Sequence, residues 1–325
     1  MVAGDGVRLR AVMTGSPAAP ATVLLAHGWT CSTRSWHHQL KDLPRILGPE
    51  NVRVIAWDHR GHGRSDAALP GTTRIEQLAE DVVTVLDTLA PSGPVVYAGH
   101  SMGGMTLLAL AEHRPDLFGE RIAAAAFIST STGNISHRAF GLPRQFDSTA
   151  ARVAPRAMNL AGQRLERRAQ KLATKAEIAE AEKAQAAALT RAAARWRALA
   201  LGARLQRPAL ARLVFGVSPD PAEVDILLAD LADTPGQSLA GFFEAITQHN
   251  REEALEVLAE LPVEVMHGTR DRLLSPRHAN RTAELLPNAR LWMYPKAGHM
   301  LMQERPRDVS HRLASLVRRT THAKV

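Results

Sequence analysis

The sequence predicts an α/β fold with a mainly parallel, doubly wound sheet and an inserted helical cap. Short apolar runs alternate with stretches of helical spacing in the first 128 residues and again after residue 262, as in parallel sheets covered on both faces. Residues 135–240 contain no convincing strand and are rich in Ala, Arg, Lys, Glu and Leu, which favour helix. We therefore expect a core formed by residues 1–134 and 241–325, with residues 135–240 as the helical cap.

Apolar runs between turn residues predict the strands, and apolar positions three and four residues apart predict the helices. The turn Gly15-Ser16-Pro17 separates the first two strands, and Pro44 is expected to end the first helix. Thr73 is the expected N-cap of the second helix, with Glu76 completing a capping box. The predicted strands are residues 6–14, 21–27, 52–57, 94–98, 123–128, 263–267 and 290–294, and the predicted core helices are residues 36–43, 74–89, 105–113, 277–286 and 303–317.

The segment Gly99-His100-Ser101-Met102-Gly103-Gly104 lies between the strand 94–98 and the helix that follows it. A Gly-x-Ser-x-Gly sequence in this position is typical of a nucleophile elbow, a sharp turn that holds a serine hydroxyl clear of the sheet. Gly99 and Gly103 flank Ser101 because a side chain at either position would collide with the neighbouring strand or helix. The alternative is a glycine-rich turn with an incidental serine.

A serine hydroxyl needs a base to remove its proton, and the base needs a third group to orient it. Asp271 follows the strand 263–267 and His299 follows the strand 290–294, so both are expected on the edge of the sheet where Ser101 lies. The order Ser, Asp, His is the order in which a nucleophile-elbow fold supplies these groups. The alternatives are a turn or N-cap carboxylate for Asp271, and one surface histidine among fourteen for His299.

Attack on a carbonyl group develops an oxyanion, which needs hydrogen-bond donors. The elbow supplies one donor, the backbone N–H of Met102. The loop after the second predicted strand reads His27-Gly28-Trp29, and the backbone N–H of Trp29 is the second candidate, because Gly28 lets the chain turn toward the site. The alternative is an ordinary turn at a strand end, with Trp29 in the core.

These segments resemble the α/β-hydrolase superfamily of esterases, lipases and related enzymes. The resemblance implies that Ser101 is the nucleophile, His299 the base and Asp271 the residue that orients the base. It also implies that the N–H groups of Trp29 and Met102 form the oxyanion hole. The matching segments run in family order and leave the predicted cap unmatched; they are residues 27–29, 58–65, 99–104, 267–271 and 298–299.

The resemblance also separates this chain from neighbouring families. Epoxide hydrolases and haloalkane dehalogenases share the His-Gly-Trp turn but carry an aspartate at the elbow, which forms an alkyl ester that water can cleave. A serine would form an unactivated ether, so neither activity is expected. The chain lacks a His-Gly-Gly-Gly oxyanion loop. In the loop 58–65 we expect the aspartate and arginine to hold the loop in the fold.

The leading hypothesis is therefore a serine hydrolase that cleaves small carboxylic esters with an apolar acyl part through an acyl-enzyme on Ser101. An acyltransferase, a thioesterase or a cofactor-free perhydrolase would use the same three residues. A hydrolase-like ligand-binding protein without activity is the non-enzymatic alternative.

No cofactor and no metal are expected. The chain has no Gly-x-Gly-x-x-Gly after a strand. His37 and His38 are adjacent and so are not expected to share a helical face, and His59 and His62 lie in a loop without a matching ligand cluster. The single cysteine, Cys31, excludes an intramolecular disulfide and is expected to be a small buried residue.

The net charge of +8 is concentrated in one segment. Residues 151–212 carry fourteen Lys or Arg and four Glu, which leaves the rest of the chain slightly acidic. This segment indicates either a solvated helical face or peripheral contact with an anionic membrane or an acidic substrate. Nucleic acid is not an expected partner, because Trp196 is the one aromatic residue there. The first ten residues contain no apolar run as long as a signal peptide needs, and no stretch of the chain is apolar over the length of a membrane span, so we expect a cytoplasmic protein. The sequence indicates no particular oligomeric state.

Overall fold

The computed structural model describes residues 1–135 and 207–322, which contain a seven-stranded sheet. Its spatial order is β1-β3-β2-β4-β5-β6-β7. β1 pairs antiparallel with β3, and every other neighbouring pair is parallel, which confirms the predicted mainly parallel sheet. The strands are β1 (Ala11–Gly15), β2 (Thr22–Ala26), β3 (Arg53–Trp57), β4 (Val95–His100), β5 (Ile122–Ile128), β6 (Val263–Gly268) and β7 (Arg290–Tyr294).

Helices cover both faces of the sheet. The described helices are α1 (His37–Leu47), α2 (Ile75–Leu89), α3 (Met102–His113), α4 (Arg207–Val214), α5 (Pro221–Asp233), α6 (Gly236–Thr247), α7 (Arg277–Leu285), α8 (Leu301–Glu304) and α9 (Pro306–His322). α2 and α3 pack in one hydrophobic cluster, and α1 and α9 pack in a second. Leu24 of β2 joins the first cluster while Val23 and Leu25 join the second, because successive strand residues face opposite sides. The central strands are therefore buried on both faces.

Pro44 lies inside α1 and does not end it, so this predicted helix boundary was wrong. Proline has no N–H to donate to the carbonyl of Leu40, four residues earlier. That carbonyl accepts a hydrogen bond from Thr14 Oγ1 of β1 at 2.7 Å, which replaces the missing bond. The helix then continues to Leu47 and ends at Gly48, which has a φ of 90°.

Two further predicted boundaries were wrong. Arg74, not Thr73, is the N-cap of α2, and its side chain makes no capping bond. Glu76 forms an ion pair with Arg251 and does not complete a capping box. The predicted closing helix is two helices, α8 and α9, because Arg305 precedes Pro306 and a residue before proline is disfavoured in helical geometry.

Three helices, α4, α5 and α6, follow β5 and precede β6 without an intervening strand among the described residues. Residues 136–206, which include most of the predicted cap and most of the basic segment, lie outside the described residues. α6 crosses the expected boundary at residue 240, and the limits of the cap stay a prediction. None of the helices described here is both long and apolar enough to cross a bilayer.

Candidate active site

Ser101 occupies a strained turn between β4 and α3. Its φ of 50° and ψ of −116° lie in a region that residues other than glycine rarely adopt. Its N–H donates to the carbonyl oxygen of Ile128 at 3.0 Å, and its own carbonyl accepts a bond from Thr130 Oγ1 at 2.6 Å. These bonds hold the turn at the carboxyl end of β4, in agreement with the position predicted from the sequence.

Three glycines around Ser101 lie so close to neighbouring segments that a side chain would not fit. A Cβ at Gly99 would lie 2.5 Å from the backbone of Gly103, and a Cβ at Gly103 would lie 2.4 Å from the carbonyl oxygen of Ala26 in β2. A Cβ at Gly28 would lie 2.7 Å from His100 Nδ1 and 3.1 Å from the Cβ of Ser101. The elbow and the loop after β2 are therefore in direct contact.

Asp271 and His299 form a buried hydrogen-bonded pair at the ends of β6 and β7. His299 Nδ1 donates to Asp271 Oδ2 at 2.7 Å. The other carboxylate oxygen, Oδ1, accepts bonds from the N–H groups of Leu273 and Leu274, both at 2.9 Å. Because Nδ1 of His299 carries the proton, its Nε2 is the nitrogen able to accept one.

A second imidazole, which the sequence analysis did not assign, contacts the same carboxylate. His267 Nε2 lies 3.0 Å from the carbonyl oxygen of Leu274 and 3.3 Å from Asp271 Oδ2. Both partners are acceptors, so Nε2 carries a proton that they share. The available signal was the position of His267 near the end of β6, four residues before Asp271.

The environment keeps Asp271 ionised. Burial by itself would raise the pKa of Asp271, but the charge of His299 and the hydrogen bonds from His267 and His299 outweigh it and hold that pKa well below its ordinary value. A buried carboxylate that stays charged can stabilise an imidazolium on its partner.

The two candidate oxyanion donors lie in segments that meet at Ser101. Met102 is the first residue of α3, where N–H groups have no acceptor within the helix. Trp29 lies in a tight turn closed by a bond of 3.2 Å from Cys31 N to Gly28 O. Because Gly28 contacts Ser101, this turn lies against the elbow.

The loop that carries His299 is held by Glu304 of α8, a residue that the sequence analysis did not single out. Glu304 Oε1 accepts a bond from Gly298 N at 2.9 Å, and its Oε2 accepts one from Gly216 N at 2.8 Å. The N–H of His299 donates to the carbonyl of Val214 at the end of α4, at 2.8 Å. Burial raises the pKa of Glu304, although its bonds to the two glycine N–H groups oppose that rise. The His299 loop is thus tied both to α8 and to the end of α4.

Ser101 and His299 line one apolar cavity of about 310 Å³. Side chains of α4, α5 and α6 form much of its wall, and no Lys, Arg, Asp or Glu is among the described residues that line it. The described hydrogen bonds include none between Ser101 Oγ and His299. The lining residues are Trp29, Thr30, Cys31, His100, Ser101, Met105, Leu210, Leu213, Val214, Leu227, Leu228, Leu231, Phe243, Ile246, Leu273, Leu274, His299 and Met300.

Cys31 and His100 also line this cavity, and burial keeps both side chains in their uncharged forms. Burial raises the pKa of the Cys31 thiol, with a further contribution from Asp230, so the nucleophilic thiolate is disfavoured. Burial and the neighbouring His299 lower the pKa of His100 well below its ordinary value, and its Nε2 donates to the carbonyl of His299 at 3.0 Å. The Cys31 thiol is therefore disfavoured as a nucleophile, and the His100 imidazole is disfavoured as a proton acceptor.

The loop 58–65 is anchored by its own polar side chains, in agreement with a structural role. Asp58 accepts bonds from the backbone N–H groups of Thr33 at 2.7 Å and Arg64 at 3.0 Å. Arg60 is fully buried and donates to Asp81 of α2 at 2.6 and 2.7 Å. Neither Asp58 nor Arg60 lines the cavity.

A group of metal-ligating side chains lies outside the cavity. Within the part of the chain described, His37, His38 and Glu223 bring one ligand atom each to within 4.8 Å of one another. The two histidines are adjacent in the chain, as noted from the sequence, and both side chains nevertheless reach Glu223. His37 is the first residue of α1, directly after the short 3₁₀ helix Thr33–Trp36, and its ring turns back to the carbonyl of Arg34 at 3.0 Å.

Comparison with known proteins identifies the family. Residues 21–306 match the family model of the alpha/beta hydrolase fold, and the chain belongs to this family. The fold is also that of a thermophilic esterase from Thermogutta terrifontis, with a TM-score of 0.66, 21% identity, and coverage of 98% of this chain and 96% of that one.

Two curated relatives match shorter segments. Lipase LipV of Mycobacterium tuberculosis is 41% identical over 100 residues, which are 31% of this chain and 35% of LipV. Epoxide hydrolase A of the same organism is 35% identical over 131 residues, 40% of this chain and 37% of that enzyme. The chain therefore aligns with little more than a third of the length of either relative.

Proposed function

We propose that this protein is a serine hydrolase that cleaves carboxylic esters with an uncharged, apolar acyl part. One observation carries the proposal: Ser101, on a strained elbow, lines the same apolar cavity as His299, whose Nδ1 is bound by Asp271. Membership of the alpha/beta hydrolase fold family supports the reaction class, and the apolar lining supports the substrate class.

The first half of the reaction forms an acyl-enzyme. A bond forms between Ser101 Oγ and the carbonyl carbon while the hydroxyl proton passes to His299 Nε2 and the π electrons move to the carbonyl oxygen. The N–H groups of Trp29 and Met102 bind this oxyanion, and each donor is worth about 3 kcal/mol of barrier lowering. The bond from carbon to the alcohol oxygen then breaks, and the alcohol leaves with the proton from His299.

The second half of the reaction hydrolyses the acyl-enzyme and regenerates the Ser101 hydroxyl. His299 removes a proton from a water molecule, whose oxygen attacks the acyl carbon. The bond to Ser101 Oγ breaks, the acid is released and the proton returns to the serine oxygen. Throughout, the ionised Asp271 holds the imidazole in the required tautomer and stabilises its protonated form.

The serine at the elbow favours esters over epoxides, although one relative is named an epoxide hydrolase. An acyl-serine is an ester that water can attack at its carbonyl carbon. Opening an epoxide with Ser101 would instead leave an ether, which has no carbonyl carbon for water to attack. The proposed substrate therefore carries a carbonyl group.

The proposal is tested with p-nitrophenyl esters of increasing chain length and with a fluorophosphonate probe. We expect the wild type to hydrolyse the esters and to gain one probe adduct on Ser101, identified by peptide mass spectrometry. Ser101→Ala should lose both. Ser129→Ala is the matched control, because Ser129 is also buried and follows the neighbouring strand β5.

Hydrolysis retained in Ser101→Ala would remove this residue from the role of nucleophile. A wild type that takes no probe and hydrolyses no ester would favour a ligand-binding protein. Transfer of the acyl group to an added alcohol or peroxide in preference to water would identify an acyltransferase or perhydrolase with the same residues.

A further inference from the structure

The side chains of His37, His38 and Glu223 converge at the junction of α1 and α5, away from the active-site cavity. His38 Nε2 lies 3.0 Å and His37 Nε2 lies 3.3 Å from the same oxygen, Glu223 Oε1. A tetrahedral zinc ion with bonds of about 2.0–2.1 Å holds its ligand atoms about 3.3 Å apart. Both distances suit a hydrogen bond and also lie close to the spacing of ligands that share one ion, and the three ligand atoms lie within 4.8 Å of one another.

A backbone carbonyl orients the ring of His37. Its Nδ1 lies 3.0 Å from the carbonyl oxygen of Arg34, which can only accept, so Nδ1 carries a proton. This leaves Nε2 as the ring nitrogen directed at Glu223 Oε1, 3.3 Å away. A ligand histidine that donates its other ring N–H to a backbone carbonyl is the arrangement found around metal ions.

Glu223 is oriented from its other side. The Glu223 side chain is 9% exposed, and its second oxygen, Oε2, accepts a bond of 2.5 Å from Gln303 Nε2. Its orientation is therefore set by the protein, as in metal sites whose carboxylate ligands have a hydrogen-bond partner. The side chains of His37 and His38 are 40% and 32% exposed, so an ion and a fourth, water ligand can reach the site from solvent.

We propose that His37, His38 and Glu223 form a Zn²⁺ site, with the two Nε2 atoms, Glu223 Oε1 and a water molecule as ligands. The ion would join α1, which packs against the sheet, to α5, which contributes Leu227, Leu228 and Leu231 to the cavity wall. The site is separate from Ser101, Asp271 and His299, so the proposal does not depend on the proposed ester hydrolysis.

The test uses the full chain, freed of metal with EDTA and dialysed, and titrated with ZnCl₂ by calorimetry. We expect one strongly bound equivalent with a micromolar or lower Kd, and a rise in melting temperature on binding. The double variant His37→Gln/His38→Gln should bind at least 100-fold more weakly and lose the rise. The control is His113→Gln/His311→Gln, which removes two exposed histidines outside the cluster and should bind as the wild type does.

A second measurement keeps the test independent of stability. Co²⁺ added to the metal-free protein should give the visible absorption of a tetrahedral nitrogen and oxygen site in the wild type and in the control. The absorption should be absent from Glu223→Gln, which keeps a side chain of the same shape beside Gln303. The proposal is overturned if the wild type binds no Zn²⁺ below 100 μM, or if the double variant binds it as tightly as the wild type. Hydrogen bonds from the two histidines to Glu223 Oε1 would then account for the close approach of the three side chains.

Discussion

At the scale of single residues, the candidate active site depends on glycines that leave no room for a side chain. Gly103 is the clearest case, because its Cα faces the carbonyl oxygen of Ala26 in β2. The close approach of α3 to β2 positions the elbow, and so it positions Ser101.

Replacing Gly103 by alanine should therefore destabilise the protein. The added Cβ would lie 2.4 Å from a backbone oxygen that cannot rotate away. We expect a loss of about 3 kcal/mol in the free energy of unfolding, measured by urea denaturation. Gly4→Ala is the control, since a Cβ added there would have no atom within 4 Å, and it should change stability by less than about 0.5 kcal/mol. Equal stability of the two variants would contradict the packing argument.

The Asp271→Asn variant should lower kcat for ester hydrolysis by about 10⁴-fold, because the amide no longer selects the tautomer of His299 that has a free Nε2. It should also change the dependence of stability on pH. The pKa of Asp271 in the folded protein lies below its ordinary value of 3.8, so its contribution to stability is present above that pH and is lost as the pH falls below it.

The stability difference between wild type and Asp271→Asn should accordingly shrink as the pH is lowered from 5 toward 3. Urea midpoints measured across this range provide the check. A difference that stays constant with pH would show that the carboxylate is not stabilised by its partners in the folded protein.

At the scale of secondary-structure elements, α8 fixes the position of the loop that connects β7 to α8 and carries His299. Glu304 satisfies two backbone N–H groups, those of Gly216 and Gly298, and Gly298 directly precedes His299. The end of α4 and the His299 loop are therefore joined through one carboxylate.

Glu304→Ala should leave both N–H groups without this acceptor, at a cost of about 1–3 kcal/mol for each, and should lower kcat at least about tenfold by displacing His299. Glu304→Gln keeps one acceptor oxygen and should fall between the alanine variant and the wild type. Urea denaturation and ester hydrolysis measure the two effects. Glu284→Ala is the control, because Glu284 lies on the exposed side of α7, and it should behave as the wild type. If Glu304→Ala changed stability and kcat as little as Glu284→Ala does, the anchoring role of Glu304 would be contradicted.

At the scale of the whole molecule, the cavity forms where α4, α5 and α6 meet the loops at the carboxyl edge of the sheet. Phe243 of α6 packs against Trp29 of the loop after β2, with ring centroids 5.5 Å apart, and both side chains line the cavity. The size of the cavity therefore depends on contacts between these two parts of the chain.

Phe243→Ala should enlarge the cavity and shift the preference toward longer acyl chains. Each additional buried CH₂ contributes about 0.8 kcal/mol, which is about a fourfold gain in kcat/KM. The ratio of kcat/KM for a long-chain ester to that for the acetate ester is measured in each protein, so that enzyme concentration cancels. Phe118→Ala, which lies outside the cavity, is the control, and an unchanged ratio in Phe243→Ala would contradict the assignment of the acyl pocket.

The sequence by itself determined the parallel sheet, the position of the elbow, and the three candidates Ser101, Asp271 and His299. These features depend on local patterns: apolar runs mark buried strands, and the carboxyl ends of parallel strands meet at one edge. Any polar residue just after such a strand could therefore be placed on that edge without knowledge of packing.

The tertiary structure decided the contacts between segments far apart in the chain. The second imidazole on Asp271, the anchoring by Glu304, and the meeting of His37 and His38 with Glu223 were all found in this way. The continuation of α1 through Pro44 also depends on a distant partner, Thr14. Helical and strand periodicity describe which face of an element is buried, but not which side chain of another element lies opposite. Such pairings follow only from the packing of the elements.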